Sequence, residues 1–171
     1  MSATTKPRQD RLESVRQKVH SDCAICGDSG GTGFHATFVC GTDGVVRADV
    51  VCPAEVQGYT SIVHGGVICS LLDAAMTNCL FAHGVVGVTA ELTVRFRHPV
   101  RTGERVTVEA RCLRAAPPLY ILEASLRQDG GVRAEAKGKF MGRPAGGPTQ
   151  PGAAPHARAH AHRDEVECES M

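Results

Sequence analysis

The chain has no tryptophan, only two tyrosines and only five phenylalanines among its 171 residues. Aromatics amount to 4%, so stacking platforms for bases or flat cofactors are scarce. A surplus of one charge is missing too: 19 Lys and Arg stand against 18 Asp and Glu, a net charge of +1. Such a balance implies no general attraction for nucleic acid or for an anionic membrane. No stretch is expected to be long and apolar enough to cross a bilayer. The N-terminal Met1-Ser2-Ala3-Thr4-Thr5-Lys6-Pro7-Arg8 lacks the apolar run that follows the basic residues of a secretory leader. These features point to the cytoplasm, where eight cysteines are expected to stay reduced. Cys40, Cys69, Cys79 and Cys112 sit in apolar segments and read as small core residues.

What is present is a normal core, with 42% hydrophobic residues, and one unusual segment. His64-Gly65-Gly66-Val67-Ile68-Cys69-Ser70-Leu71-Leu72-Asp73 opens on two glycines and carries a single carboxylate about two turns into an apolar run. That run predicts a buried helix from Gly65 to about Ala82, closed by His83-Gly84. A carboxylate on such a helix is costly unless it has a partner or a task. The first N–H groups of a helix lack internal partners, and its dipole favours negative charge there. One segment therefore offers an oxyanion-binding turn together with an acid/base group.

Around the helix the periodicity is two. Phe34–Cys40 and Val45–Val51 flank Gly41-Thr42-Asp43-Gly44 as a β-hairpin. After the helix, Val88, Ala90, Leu92, Val94 and Phe96 alternate with Thr89, Glu91, Thr93, Arg95 and Arg97. Similar alternation in 105–112, 120–126 and 132–140 gives four half-buried strands in all. Strand, strand, helix, four strands is an α+β layout: one antiparallel sheet around one long helix. Residues 1–20 form an N-terminal extension with a short surface helix. The domain proper spans 21–142, and 143–171 is a Gly/Pro/Ala/His-rich tail expected to be flexible.

The chain resembles the hotdog-fold acyl-CoA thioesterase superfamily, in its phenylacetate-pathway-like and 4-hydroxybenzoyl-CoA thioesterase-like branch. The resemblance rests on Gln57-Gly58-Tyr59-Thr60-Ser61-Ile62-Val63-His64-Gly65-Gly66-Val67-Ile68, on Leu71-Leu72-Asp73, and on Val94-Arg95-Phe96-Arg97-His98-Pro99-Val100-Arg101-Thr102-Gly103-Glu104. Cys23-Ala24-Ile25-Cys26-Gly27 adds to it. It implies a six-stranded hotdog sheet, a homodimer or dimer of dimers, and a site between subunits. The His-Gly-Gly turn of one chain would there face the helix carboxylate of the other.

The same resemblance implies hydrolysis of acyl-CoA to a carboxylic acid and free CoA, with no metal or organic cofactor. Asp73 would be general base or nucleophile, because water attacks a thioester poorly at neutral pH. Gly65, ahead of Gly66, would supply the oxyanion N–H. His64 would fix the turn rather than act as a base. Thr89 and Gln57 would position water or the carbonyl, and Thr77, one turn after Asp73, would share its helix face. Arg95, Arg97, Arg101 and Arg105 are candidates for the phosphates of coenzyme A or, equally, solvated strand residues. Leu71, Leu72, Met76 and Phe81 would line the acyl slot or the core. Two other readings stand beside this one: a non-catalytic acyl-CoA-binding hotdog protein, and a hydratase, which would need an Asp/His pair that is not evident.

Cys23-x-x-Cys26 with His20 and His35 contains the donors of a four-ligand zinc site. The spacing fits no standard finger and there is no second cysteine pair, so a structural loop sealing the site entrance is the preferred reading and no metal is expected. The tail histidines His156, His160 and His162 read as part of a polar tail.

Overall fold

The computed structural model describes residues 7–27 and 34–145. The tail from residue 146 onward lies outside the described residues. The element order is helix α1 (Gln9–Val19), strands β1 (Val39–Cys40) and β2 (Val46–Val51), a short 3-10 turn (Ala54–Val56), strands β3 (Gln57–Tyr59) and β4 (Ile62–Val63), helix α2 (Gly65–Ala82), and strands β5 (Val85–Phe96), β6 (Arg105–Ala116), β7 (Leu119–Gln128) and β8 (Gly131–Pro144). Six strands form one sheet in the order β1-β2-β6-β7-β8-β5, and all its pairings are antiparallel. The α+β layout expected from periodicity is the architecture found.

Helix α2 has the predicted bounds. From Leu71 to Ala82 every residue but Asp73 is buried, and Leu71, Leu72, Met76 and Phe81 all belong to the core against β2, β6 and β7. This helix corrects one expectation: it is long and apolar enough to cross a membrane by length and composition. Two thirds of it is buried against the sheet, as befits a core helix. Helix α1 does more than the sequence suggested. It is a short helix at the surface as expected, and it also docks: Leu12 and Val15 are buried and it packs on α2. The Arg8 N–H also caps the far end of α2 through the Ala82 carbonyl at 3.0 Å.

Between β2 and α2 the sequence suggested only a connecting segment. The chain instead folds a small hairpin, β3 on β4, whose loop carries Ser61 at φ 61. The Asp129-Gly130 turn joining β7 to β8 has positive φ at both residues (52 and 73), as a two-residue turn between twisted strands requires.

Strand β5 holds the decisive irregularity. Its register with β8 shifts between Thr89 and Glu91: Thr89 faces Phe140 and Glu91 faces Lys139, leaving Ala90 as an extra residue. Strict alternation would put Thr89 on the polar face with Glu91 and Thr93. The bulge turns it onto the α2 face, opposite the fully buried Phe140.

Candidate active site

His64 is the N-cap of α2. Its extended backbone (φ −61, ψ 135) leads into the helix, and its Nδ1 accepts the Gly66 N–H at 2.9 Å. With Nδ1 accepting, Nε2 is the ring nitrogen left to face outward from the turn. The Gly66 N–H is thereby occupied. The Gly65 N–H has no hydrogen-bond partner among the described residues. It lies at the positive end of an 18-residue helix, beneath the half-exposed Phe96 ring, which a Cβ at Gly65 would meet at 3.5 Å. Of the two glycines, Gly65 is the one free to bind an oxyanion. In the sequence Phe96 is a strand residue and part of the 94–104 motif; no local pattern places a strand-end ring over a helix start.

Asp73 lies two turns along α2 and is only partly buried. Its Oδ1 accepts the Thr89 hydroxyl at 2.6 Å, a bond that the β5 bulge makes possible. Its Oδ2 has no partner among the described residues, so one carboxylate oxygen is held while the other remains available. Such a group can be oriented and still accept a proton.

The other nominated residues lie elsewhere in the bonding pattern. The Gln57 amide oxygen accepts the Ser61 N–H at 3.1 Å and so braces the small hairpin that delivers His64. Thr77 is buried on α2, and Asp73 is bonded to Thr89 rather than to it. Arg97 pairs with Glu135, Arg101 with Glu104 and Asp129, and Arg105 with Asp49. Arg95 has no acidic partner among the described residues. A hollow of about 920 Å³ opens on the outer face of the sheet, among Arg47, Glu91, Arg95, Glu123 and Lys137. It is lined by neither Asp73 nor Thr89.

A sequence model described as the thioesterase superfamily matches residues 60–134, the stretch that runs from the β3–β4 loop into β8. The E. coli PaaI protein of the phenylacetic acid degradation operon has the same fold, with a TM-score of 0.66 and 16% identity over 78% of this chain and 94% of its own. The fold is the hotdog fold, and residues 60–134 match the thioesterase superfamily. A solved thioesterase superfamily protein is 25% identical with a TM-score of 0.61; the match covers 69% of this chain, which spans 62% of that protein's length. A Streptococcus mutans protein solved bound to acetyl-CoA has a TM-score of 0.60 and 17% identity, over 64% of this chain and 89% of its own. No curated protein matches the chain in sequence.

The cysteine loop sits beside the same helix. His20 follows α1 and packs edge-on against Phe81 of α2, with ring centroids 5.1 Å apart. Burial holds its pKa below 6.5; Arg16 pushes the same way and the charge of Asp73 pulls against both. His35 is not gathered with Cys23 and Cys26, since its Nδ1 bonds the Gly27 carbonyl at 3.0 Å. The seven cysteines of the described residues carry no disulfide.

Proposed function

We propose that this protein hydrolyses acyl-CoA thioesters, with Asp73 acting on water or carbonyl carbon and the Gly65 N–H receiving the oxyanion. The observation that carries the reading is the Thr89–Asp73 hydrogen bond at 2.6 Å, which holds a part-exposed carboxylate with one oxygen unengaged. In general-base form, that oxygen takes a proton from water as the water attacks the thioester carbonyl. The carbonyl oxygen gains charge and is met by a preorganised N–H, a donor typically worth about 3–4 kcal/mol in the transition state. Collapse expels the CoA thiolate and leaves the carboxylic acid.

Support for CoA comes from the Streptococcus mutans relative solved with acetyl-CoA and from a Streptococcus pneumoniae hypothetical thioesterase solved with coenzyme A. The pneumococcal protein was also solved with an aspartate and, separately, a threonine changed to alanine. Those two positions are sixteen residues apart, the separation of Asp73 and Thr89.

A second copy of the chain completes this reading. Gly65 and Asp73 are eight residues apart on one helix, about 12 Å at 1.5 Å per residue. That separation supports a site in which the Gly65 turn of one protomer works with the Asp73 of another. Strand β5 is a twelve-residue sheet edge with an unpaired side and an exposed Val88, a surface suited to pairing with its own copy.

The test is hydrolysis of short, medium, long and aromatic acyl-CoAs, followed by chromatography, for wild type and Asp73→Asn. Turnover that collapses in the folded variant is expected. A folded wild type that binds acyl-CoA without hydrolysing it would favour the non-catalytic binding protein.

A further inference from the structure

His20, Cys23 and Cys26 meet where α1 ends against α2, and their ligand atoms all lie within 4.8 Å of one another. Tetrahedral zinc, with bonds of about 2.3 Å to sulfur and 2.0–2.1 Å to nitrogen, places neighbouring donors roughly 3.5–3.8 Å apart. Small side-chain rotations close that difference. The loop is built rather than loose. The Cys23 N–H bonds the His20 carbonyl at 3.3 Å, the Gly27 N–H bonds the Cys23 carbonyl at 2.8 Å, and Arg16 holds the Cys26 carbonyl at 2.6 Å. A Cβ at Gly27 would strike the Ser21 and Cys23 backbone at 2.4–2.6 Å, so only glycine permits the winding.

Each sulfur also has a donor aimed at it. The Ile25 N–H reaches Cys23 Sγ at 3.4 Å, and Asn78 Nδ2 of α2 reaches Cys26 Sγ at 3.4 Å. A thiol is a weak acceptor and gains little from such donors; a metal-bound thiolate is oriented and stabilised by them. A further observation is independent of the cysteines. Asn78 is fully buried, its Nδ2 is used, and its Oδ1 has no hydrogen-bond partner among the described residues. Three protein ligands leave zinc a fourth position for water, and a zinc-bound water is a donor for such an acceptor.

We propose that His20, Cys23 and Cys26 bind one zinc-class divalent ion, which ties α1 and the cysteine loop to the helix that carries Asp73. The charge balance suits the place: two thiolates cancel the ion and the imidazole stays neutral, so no net charge is buried. The proposal is independent of the thioesterase reading, because its readout is metal binding and not turnover.

The test uses the full chain, reduced and stripped of metal under anaerobic conditions, then titrated with Co²⁺ and back-titrated with Zn²⁺. One Co²⁺ per chain with near-ultraviolet thiolate-to-cobalt charge-transfer absorption is expected, and Zn²⁺ should bleach it. Cys23→Ser, which leaves one thiolate, should lower the saturated band by about half and weaken uptake at least tenfold. If Cys23→Ser does not fold, as judged by circular dichroism, His20→Gln takes its place and should weaken uptake to a similar degree. A variant with His156, His160 and His162 changed to alanine, and Cys52→Ala, should both keep the band. Absence of thiolate absorption in folded wild type, an undiminished band and unchanged affinity in folded Cys23→Ser, or a Cys23–Cys26 disulfide in anaerobically purified protein would each overturn the proposal.

Discussion

The Thr89 hydroxyl donates to Asp73 Oδ1 at 2.6 Å, joining an edge strand to the central helix across sixteen residues of chain. The bond exists because Ala90 is an extra residue in β5 and reverses the face that Thr89 presents. Asp73→Asn is expected to keep the fold and to cut acyl-CoA turnover by at least about 10²-fold, the lower end for loss of a positioned acid/base group. Thr89→Ala removes only the orienting bond, and hydrogen bonds to charged groups contribute roughly 1.5–3 kcal/mol. It should lower kcat about tenfold or more, while Thr89→Ser stays near wild type. Equal rates in Thr89→Ala and wild type would remove the positioning role.

The two glycines can be separated by proline. Gly65 is the first helical residue, its N–H has no described partner, and His64 before it already has the extended backbone that proline requires. Gly65→Pro should therefore fold with little change in Tm and lose about 10²–10³-fold in kcat through the missing oxyanion donor. Gly66→Pro deletes the N–H that His64 caps and should lower Tm instead. Full activity in folded Gly65→Pro would exclude Gly65 as the donor.

The two-copy site predicts that interface and activity fail together. A lysine on the exposed β5 edge discourages strand pairing. Val88→Lys, at a residue 71% exposed in the single chain, should shift the protein toward monomer in light scattering. It should lower turnover while circular dichroism stays unchanged. A fully active monomer would refute the shared site.

Buried thiols set an alkaline limit. Burial pushes Cys79 up to about 12 and Cys52 up to about 11, from an ordinary 9.0. The folded state keeps these protons while the unfolded chain releases them. The stability they support is fully present below pH 9 and is lost as pH rises toward the folded values. Near pH 10 the loss should be about 1.4 kcal/mol per thiol, one pKa unit of linkage. Denaturant midpoints from pH 8 to 10 should show this decline, and it should flatten in the Cys52→Ala, Cys79→Ala double variant.

Much of the architecture was legible because burial leaves a periodic trace. The α2 bounds, the 41–44 hairpin turn and the four later strands all follow from spacing and turn residues. The β3–β4 hairpin left no such trace, since its strands are two and three residues long and mostly exposed. The docking of α1 was under-read because two buried residues, Leu12 and Val15, make a weak stripe. The surroundings of the cysteine loop were hidden for a related reason: Cys23-x-x-Cys26 is a local signal, but Asn78, which bonds one of its sulfurs, lies 52 residues away.

The sequence by itself determined that a helix would begin at the glycine pair and bury itself, and that Asp73 would be the one carboxylate on it. Hydrophobic periodicity and helix-end chemistry act over a few residues, so they can be read in one dimension. Which glycine N–H is free, which face Thr89 presents and which side chains gather around Cys26 were decided only by the tertiary structure. Each depends on a cap's ring orientation, a single-residue shift in strand register, or a contact between distant segments. None of these changes the local pattern, and each changes which atoms meet.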